Sequence, residues 1–150
     1  QFLEDIVLEC EDCKGLKLKP LYAQLSDGRM TVAEAYDMPI SELVKHISLT
    51  PKYRRVSDYL RILKLDYLSL NRQVNSLSGG EKQRLYLLSK LQKEIYNSLL
   101  VFENLSFGLS KRELDAVSRF LQKLTCQNNT IALIDQNTFF QQVASYKLIF

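Results

Sequence analysis

The chain has 150 residues, of which 46% are hydrophobic and 25% charged, with a formal net charge of +3 at neutral pH. These are ordinary values for one folded unit with a sizeable core, and they exclude collagenous, low-complexity and disordered classes. With no run of 18 apolar residues, no basic and then apolar leader, and an odd three cysteines, the chain is expected to be soluble and cytoplasmic, without a disulfide framework.

The first 30 residues carry two strand-like pieces, "DIVLEC" and "LYAQLSDG", around Cys10 and Cys13, with turn signals at Lys14-Gly15 and Asp27-Gly28. Thr31 and Glu34 have the spacing of a capping box and open a short helix at about 32 to 36. Pro39 begins "PISELVKHI", where its missing N–H suits a first helical turn. In "PKYRRVSDYLRILKL", Tyr53, Val56, Leu60 and Leu63 fall on one helical face, which is expected to be buried.

The stretch "NSLSGGEKQRLYLLSK" raises a sharper question, because it holds the chain's only Gly-Gly pair. Ser78 and Glu81 form another capping box, after which Leu85, Leu88, Leu91 and Ile95 recur at helical spacing, with Lys82, Arg84, Lys90 and Lys93 largely off the stripe. Capping alone does not account for two glycines, each costing up to about 1 kcal/mol against alanine in a helix. A missing Cβ fits a place where another group approaches the backbone closely, and bare N–H groups at a helix start suit an anion such as a phosphate.

Beyond this helix the period changes. "SLLVF" at 98 to 102, "TIALI" at 130 to 134 and "YKLIF" at 146 to 150 are short apolar runs of the kind buried on both faces of a parallel sheet. Between the first two lies "SKRELDAVSRFLQKLT", with Ser110 and Glu113 as a capping box and Leu114, Val117, Leu121 and Leu124 as its stripe. Strand, helix, strand at this spacing predicts a parallel, right-handed βαβ unit. The two ends of the chain read as strands cut in mid-structure, so a fragment of a longer protein is expected.

The order Leu77-Ser78-Gly79-Gly80-Glu81, helix, apolar strand, Glu103-Asn104 and then Gly108 resembles an ABC-type ATPase. The segments "LDYLSLNRQVNSLSGGEKQRL" and "CEDCKGLKLKP…DGRMTVAEAYDMPISE" further resemble the UvrA family, the damage-recognition ATPases of the excinuclease of bacterial nucleotide excision repair, over nearly the whole chain. The resemblance implies an α/β, P-loop NTPase-class fold with a cysteine-knuckle region at 1–30, a helical signature subdomain at 31–96 and a parallel α/β core segment at 97–150. It also implies that Ser78, Gly79, Gly80 and Glu81 bind nucleotide by capping the γ-phosphate of an ATP, with Mg²⁺, held mainly by another nucleotide-binding module of the same protein or its dimer mate. Double-stranded DNA and UvrB, the excinuclease component that works with this family, are the further partners implied, with no membrane.

Four departures from that family pattern stand out. No GxxxxGK[ST] loop occurs among Gly15, Gly28, Gly79, Gly80 and Gly108, so this chain alone has no cradle for the β- and γ-phosphates. The strand-end motif reads Glu103-Asn104-Leu105; Glu103 retains a carboxylate for Mg²⁺ through water, whereas the Asn104 amide cannot take a proton from an attacking water. Gln136 stands at the switch-histidine position and carries no titratable proton near neutral pH. Asp135 is a weaker candidate for the missing carboxylate. Last, Cys10 and Cys13 supply half of a zinc site, since a tetrahedral site needs four ligands, and Cys126 and His46 are read as structural.

Lys52, Arg54, Arg55 and Arg61, interleaved with Tyr53 and Tyr59, form a basic stretch that suits a phosphate backbone as well as it suits a solvated helix face. Two functional classes follow. One is a working part of an ATP-dependent DNA-damage-recognition protein, supplying LSGGE in trans; the other is a catalytically degenerate repeat kept as a structural or DNA-docking platform. A transporter ATPase would share LSGGE but has no place for the cysteine knuckle.

Overall fold

The computed structural model describes residues 10–90 and 95–148, which form a mixed α/β fold. In chain order the elements are α1 (Pro20–Ala23), α2 (Val32–Asp37), α3 (Ile40–His46), α4 (Pro51–Ile62), α5 (Gly79–Lys90), β1 (Leu99–Glu103), α6 (Lys111–Thr125), β2 (Thr130–Ile134) and α7 (Thr138–Val143). They divide into two compact units, Gln1–Ser48 with Tyr67–Gln73 and Leu49–Asp66 with Val74–Phe150.

In the first unit, local polar chemistry sets the chain path. The Thr31–Glu34 capping box closes as expected, with the Glu34 carboxylate accepting the Thr31 N–H at 2.7 Å. Ahead of it, Gly28 has φ +88° and the Asp27 Oδ1 accepts the N–H groups of Arg29 and Met30, which folds the turn that brings Ser26 opposite Thr31. The expected strand "LYAQLSDG" is instead the single-turn helix α1 followed by that turn, because Pro20 sits at the first helical position and pre-sets φ. Most of "DIVLEC" lies outside the described residues. Pro39 caps α3 and pairs with Ser69, and Leu43 and Leu68 are buried.

The second unit holds the larger core. β1 and β2 run parallel, with Leu99 opposite Thr130 and Glu103 opposite Ile134, joined by α6 as a βαβ unit. The stripe of α6 is buried as its spacing requires: Leu114, Val117, Leu121 and Leu124, with Phe120 beside them. Phe120 meets the ring of Tyr59 on α4 edge-on, at 5.0 Å between centroids. Asn129, buried, ties the two strand entries together by accepting the Ser98 N–H and donating to the carbonyls of Ile95 and Leu124.

Three expectations are corrected here. The sequence predicts strands covered on both faces, yet Leu99, Val101 and Ile134 are more than half exposed, because α6 covers one face and nothing among the described residues covers the other. Tyr146 to Leu148 carry no strand pairing and are exposed, residues 149 and 150 lying outside the described residues. On α4, Tyr53 is exposed, and the buried face is Tyr59, Leu60 and Leu63. That helix ends in a Schellman turn: Lys64 has φ +54°, its N–H bonds to the Arg61 carbonyl, and the Leu65 N–H reaches the Leu60 carbonyl at 2.8 Å. The turn carries the chain back inward and buries Leu63 and Leu65 completely.

Phe120→Ala should therefore lower the unfolding free energy by about 3–5 kcal/mol, whereas Tyr53→Ala should change it by no more than about 0.5 kcal/mol. Chemical denaturation of the two variants measures both.

Candidate functional site

The amino terminus of α5 is built on its capping box. The Ser78 N–H donates to Glu81 Oε2 at 2.6 Å and the Glu81 N–H donates to Ser78 Oγ at 3.3 Å. The first intrahelical bond runs from the Lys82 N–H to the Ser78 carbonyl, so the N–H groups of Gly79 and Gly80 have no acceptor within the helix.

The two glycines sit in different surroundings. Gly79 is exposed, and a Cβ added to it would meet nothing within 4 Å. Gly80 is buried, and a Cβ there would lie 2.5 Å from Glu113 Oε1 and 3.1 Å from its Cδ. The group that approaches Gly80 thus belongs to the chain itself, whereas the space beside Gly79 is open.

Glu113 is held in that place by its neighbours. It completes the capping box of α6, accepting the Ser110 N–H on Oε2 at 2.8 Å, and its Oε1 receives Nη2 of Arg84 at 2.8 Å. Arg84 corrects the sequence-based expectation most sharply: placed off the apolar stripe by its charge, it is only 5% exposed. Its Nη1 donates to the Leu63 carbonyl at 2.8 Å and its Nε to the Gly80 carbonyl at 3.2 Å. The buried face of α5 is Gly80, Arg84, Leu87 and Leu88, with Leu85 half-buried. A buried charge is tolerated when it is paired and hydrogen-bonded, and removing one partner of such a pair costs about 3–5 kcal/mol.

Gln83, the preceding residue, connects α5 to the loop after β1 by donating from Nε2 to the Leu105 carbonyl at 2.9 Å. Glu103 ends β1 and is exposed. Asn104 adopts φ +51°, a left-handed conformation in which asparagine is enriched, and its N–H bonds to the Ile134 carbonyl at 2.9 Å. The Asp135 carboxylate is engaged in holding this loop: it accepts the Ser106 N–H at 2.8 Å, the Ser106 hydroxyl at 2.6 Å and the Asn137 N–H at 2.9 Å. Burial pushes Asp135 up, but these hydrogen bonds outweigh it and hold its carboxyl below the ordinary aspartate range. Gln136 is exposed. Among the described residues no hydrogen bond joins Ser78, Gly79 or Gly80 to Glu103, Asn104 or Gln136; Gln83 is the connection between the two stretches.

On α4, Lys52 and Arg54 are exposed, Arg55 is half-buried, and Arg61 pairs with Asp58 at 3.0 Å. Lys52 Nζ lies 5.9 Å from the centroid of the exposed Tyr53 ring, while Tyr59 is in the core. Cys10 is exposed and Cys13 half-buried, on a turn closed by the Lys14 N–H to the Cys10 carbonyl at 2.8 Å. No group of three or more His, Cys, Asp or Glu able to hold a metal occurs among the described residues, so these residues do not by themselves form the closed four-ligand site of structural zinc. No helix among them is long and apolar enough to cross a membrane.

At Glu113, burial raises the carboxyl, and the Ser110 side chain and N–H together with the Arg84 charge bring it below the ordinary glutamate value of about 4.3. With the folded value below the unfolded one, its contribution to stability is complete above the unfolded value and lost as pH falls through the folded one. Glu113→Gln should therefore be less stable than the parent at neutral pH, and the gap should narrow steadily as pH falls from about 5 toward 3. Urea unfolding at a series of pH values measures the gap.

No family model matches the chain. It is 28% identical over 137 residues to UvrABC system protein A of Bradyrhizobium diazoefficiens, covering 91% of this chain and 14% of that protein. It is 27% identical over 146 residues to the Staphylococcus aureus protein of the same name, covering 97% of this chain and 15% of that one. The crystal structure of UvrA2 from Deinococcus radiodurans shares the fold at a TM-score of 0.72 and 23% identity, over 87% of this chain and 16% of that chain. Sequence similarity along nearly its whole length and a common fold thus relate this chain in general terms to the UvrA family of ABC-type ATPases, of whose members it spans a small part.

Proposed function

We propose that the chain is a segment of a UvrA-like, ATP-dependent DNA-damage-recognition protein of nucleotide excision repair, and that it supplies Ser78, Gly79, Gly80 and Glu81 in trans to an ATP site. The observation that carries this reading is Gly79. It begins a helix at a cost of up to about 1 kcal/mol against alanine, without positive φ, and no atom of the described chain occupies the space its missing Cβ leaves. An exposed helix start whose Gly79 N–H has no acceptor within the helix and whose Cα is bare suits a phosphate approaching from outside.

The phosphate loop and the bulk of the ATP·Mg²⁺ contacts would come from another nucleotide-binding module, of the same protein or its dimer mate. Glu103 would hold Mg²⁺ through water. Zinc would need two ligands besides Cys10 and Cys13. A UvrB-type excinuclease partner and a cytoplasmic location accompany the same reading. The apolar face of the β1–β2 sheet, with Leu99, Val101 and Ile134 exposed, fits a segment that packs within a larger ATPase core.

A second reading, a catalytically degenerate repeat acting as a structural or DNA-docking platform, is favoured by Asn104. At φ +51° this residue serves the turn after β1, and with Gln136 it leaves the segment's own site without a general base. Both readings are separated by a chimera in which this chain replaces the matched 146 residues of the Staphylococcus aureus relative. Under the first, Ser78→Arg should lower ATP turnover by about a hundredfold or more, the scale on which loss of one preorganised anion-stabilising group acts. The accompanying loss of a helix cap, about 1 kcal/mol, leaves the chain folded. Unchanged turnover would assign the segment a scaffold role.

For DNA, the exposed Lys52 and Arg54 are the expected phosphate contacts, with Arg55 and Arg61 beside them. In a titration of the chain with a non-specific duplex at increasing salt, Lys52→Ala and Arg54→Ala should each weaken binding uniformly across sequences and reduce the salt slope by about 1. Slopes equal to the parent's would make this face a solvated one.

A further inference from the structure

We infer that Arg84 and Glu113 are positioning residues for the first turn of α5: a fixed carboxylate takes the place of a side chain at position 80 and locks the Gly79-Gly80 backbone to the starts and ends of neighbouring helices. The inference rests on the signature reading only for what the turn would bind.

The geometry leaves the carboxylate little freedom. Ordinarily the end of a glutamate side chain gives way to a new methyl group at small cost. Here Oε1 is bonded to a guanidinium only 5% exposed, and Oε2 is bonded to the Ser110 N–H at 2.8 Å. Moving it away from a Cβ at 2.5 Å would break the α6 capping box, the buried ion pair, or both. The guanidinium cannot follow, because two of its other donors are engaged by the Leu63 and Gly80 carbonyls. The second glycine of the pair is therefore required by Glu113, and the first is not. Both have ordinary backbone angles, so alanine is permitted at either position as far as the backbone is concerned.

The consequence is a reversal of sign. Gly→Ala in a helix stabilises through propensity unless the new methyl group meets something fixed. Gly79→Ala should raise the melting temperature of the chain by about 2–4 °C. Gly80→Ala should lower it and speed amide hydrogen exchange at Glu81 and Lys82, whose N–H groups bond to Ser78, at least about tenfold, corresponding to a local loss of about 1.4 kcal/mol or more. In a Glu113→Ala background the same Gly80→Ala change should raise the melting temperature, as Gly79→Ala does. If Glu113→Ala does not fold, Arg84→Met with Glu113→Ala, which removes the buried charge as well, serves as the background.

A Gly80→Ala effect of the same sign and size in both backgrounds overturns the inference. So does a lowered melting temperature with unchanged exchange at Glu81 and Lys82, which is what contact loss without positioning of the turn gives. Should Gly80→Ala alone fail to fold, a cooperative melt regained in the double variant supports the interlock, and a double variant still unfolded overturns it. These readouts use no nucleotide, so failure of the signature reading, seen as unchanged turnover in the Ser78→Arg chimera, does not alter them.

Discussion

The guanidinium of Arg84 is the point at which three helices are joined. It reaches the last carbonyls of α4 through Leu63, the first turn of α5 through Gly80, and the cap of α6 through Glu113. The Leu63 carbonyl is one of those that a helix end leaves in need of a bond, the Gly80 carbonyl lies in the first turn of α5, and the Glu113 carboxylate stands at the amino end of α6. A cation at the carboxyl end of α4 and a carboxylate at the amino end of α6 are both favourable against the helix dipoles, so the buried pair is supported from each side. A charge buried so fully requires that these partners stay in place, and the three helix ends are fixed accordingly: moving one would strand a carbonyl, a carboxylate or the guanidinium itself.

The capping boxes follow the same logic at smaller scale. At Thr31, Ser78 and Ser110 a hydroxyl residue is followed three positions later by glutamate, and in all three the structure closes the box. At Ser110 the glutamate also serves another element, through its ion pair with Arg84 on α5. That added duty places Glu113 against Gly80, although nothing in the local four-residue pattern announces it.

This difference marks how far the sequence could be read. Helix starts were legible because a capping box is a local device with a fixed spacing, and the βαβ unit was legible because the stripe of α6 repeats without a charged interruption. Arg84 was not, since a residue's charge is normally grounds for placing it in water and its partners lie 21 and 29 positions away. The turn after α4 was equally hidden: a left-handed residue there is usually glycine, whereas this chain uses Lys64. The strand runs "SLLVF" and "TIALI" were placed correctly but their exposure was not, because an apolar run specifies a sheet without specifying how many of its faces the same chain covers. The site residues divide in the same manner. Ser78 and Glu81 were found through their spacing, while Gln83, which bonds the loop following Glu103, gives no signal in sequence at all.

The two glycines therefore answer different demands. Gly80 makes room for a carboxylate from within the chain, and its presence is explained without any ligand. Gly79 borders open space, and a chain under no demand there would gain stability from alanine. The loop that follows β1 shows the opposite balance: Asn104 takes the backbone conformation of the turn, Asp135 is engaged by Ser106 and Asn137, and Gln83 holds the Leu105 carbonyl. The Asp135 carboxylate and the Gln83 amide are thus committed to the fold, Glu103 is exposed, and the start of α5 presents Gly79 with its bare Cα to open space. On physical grounds the outward-facing helix start is the part of this unit suited to meet a phosphate that something else delivers.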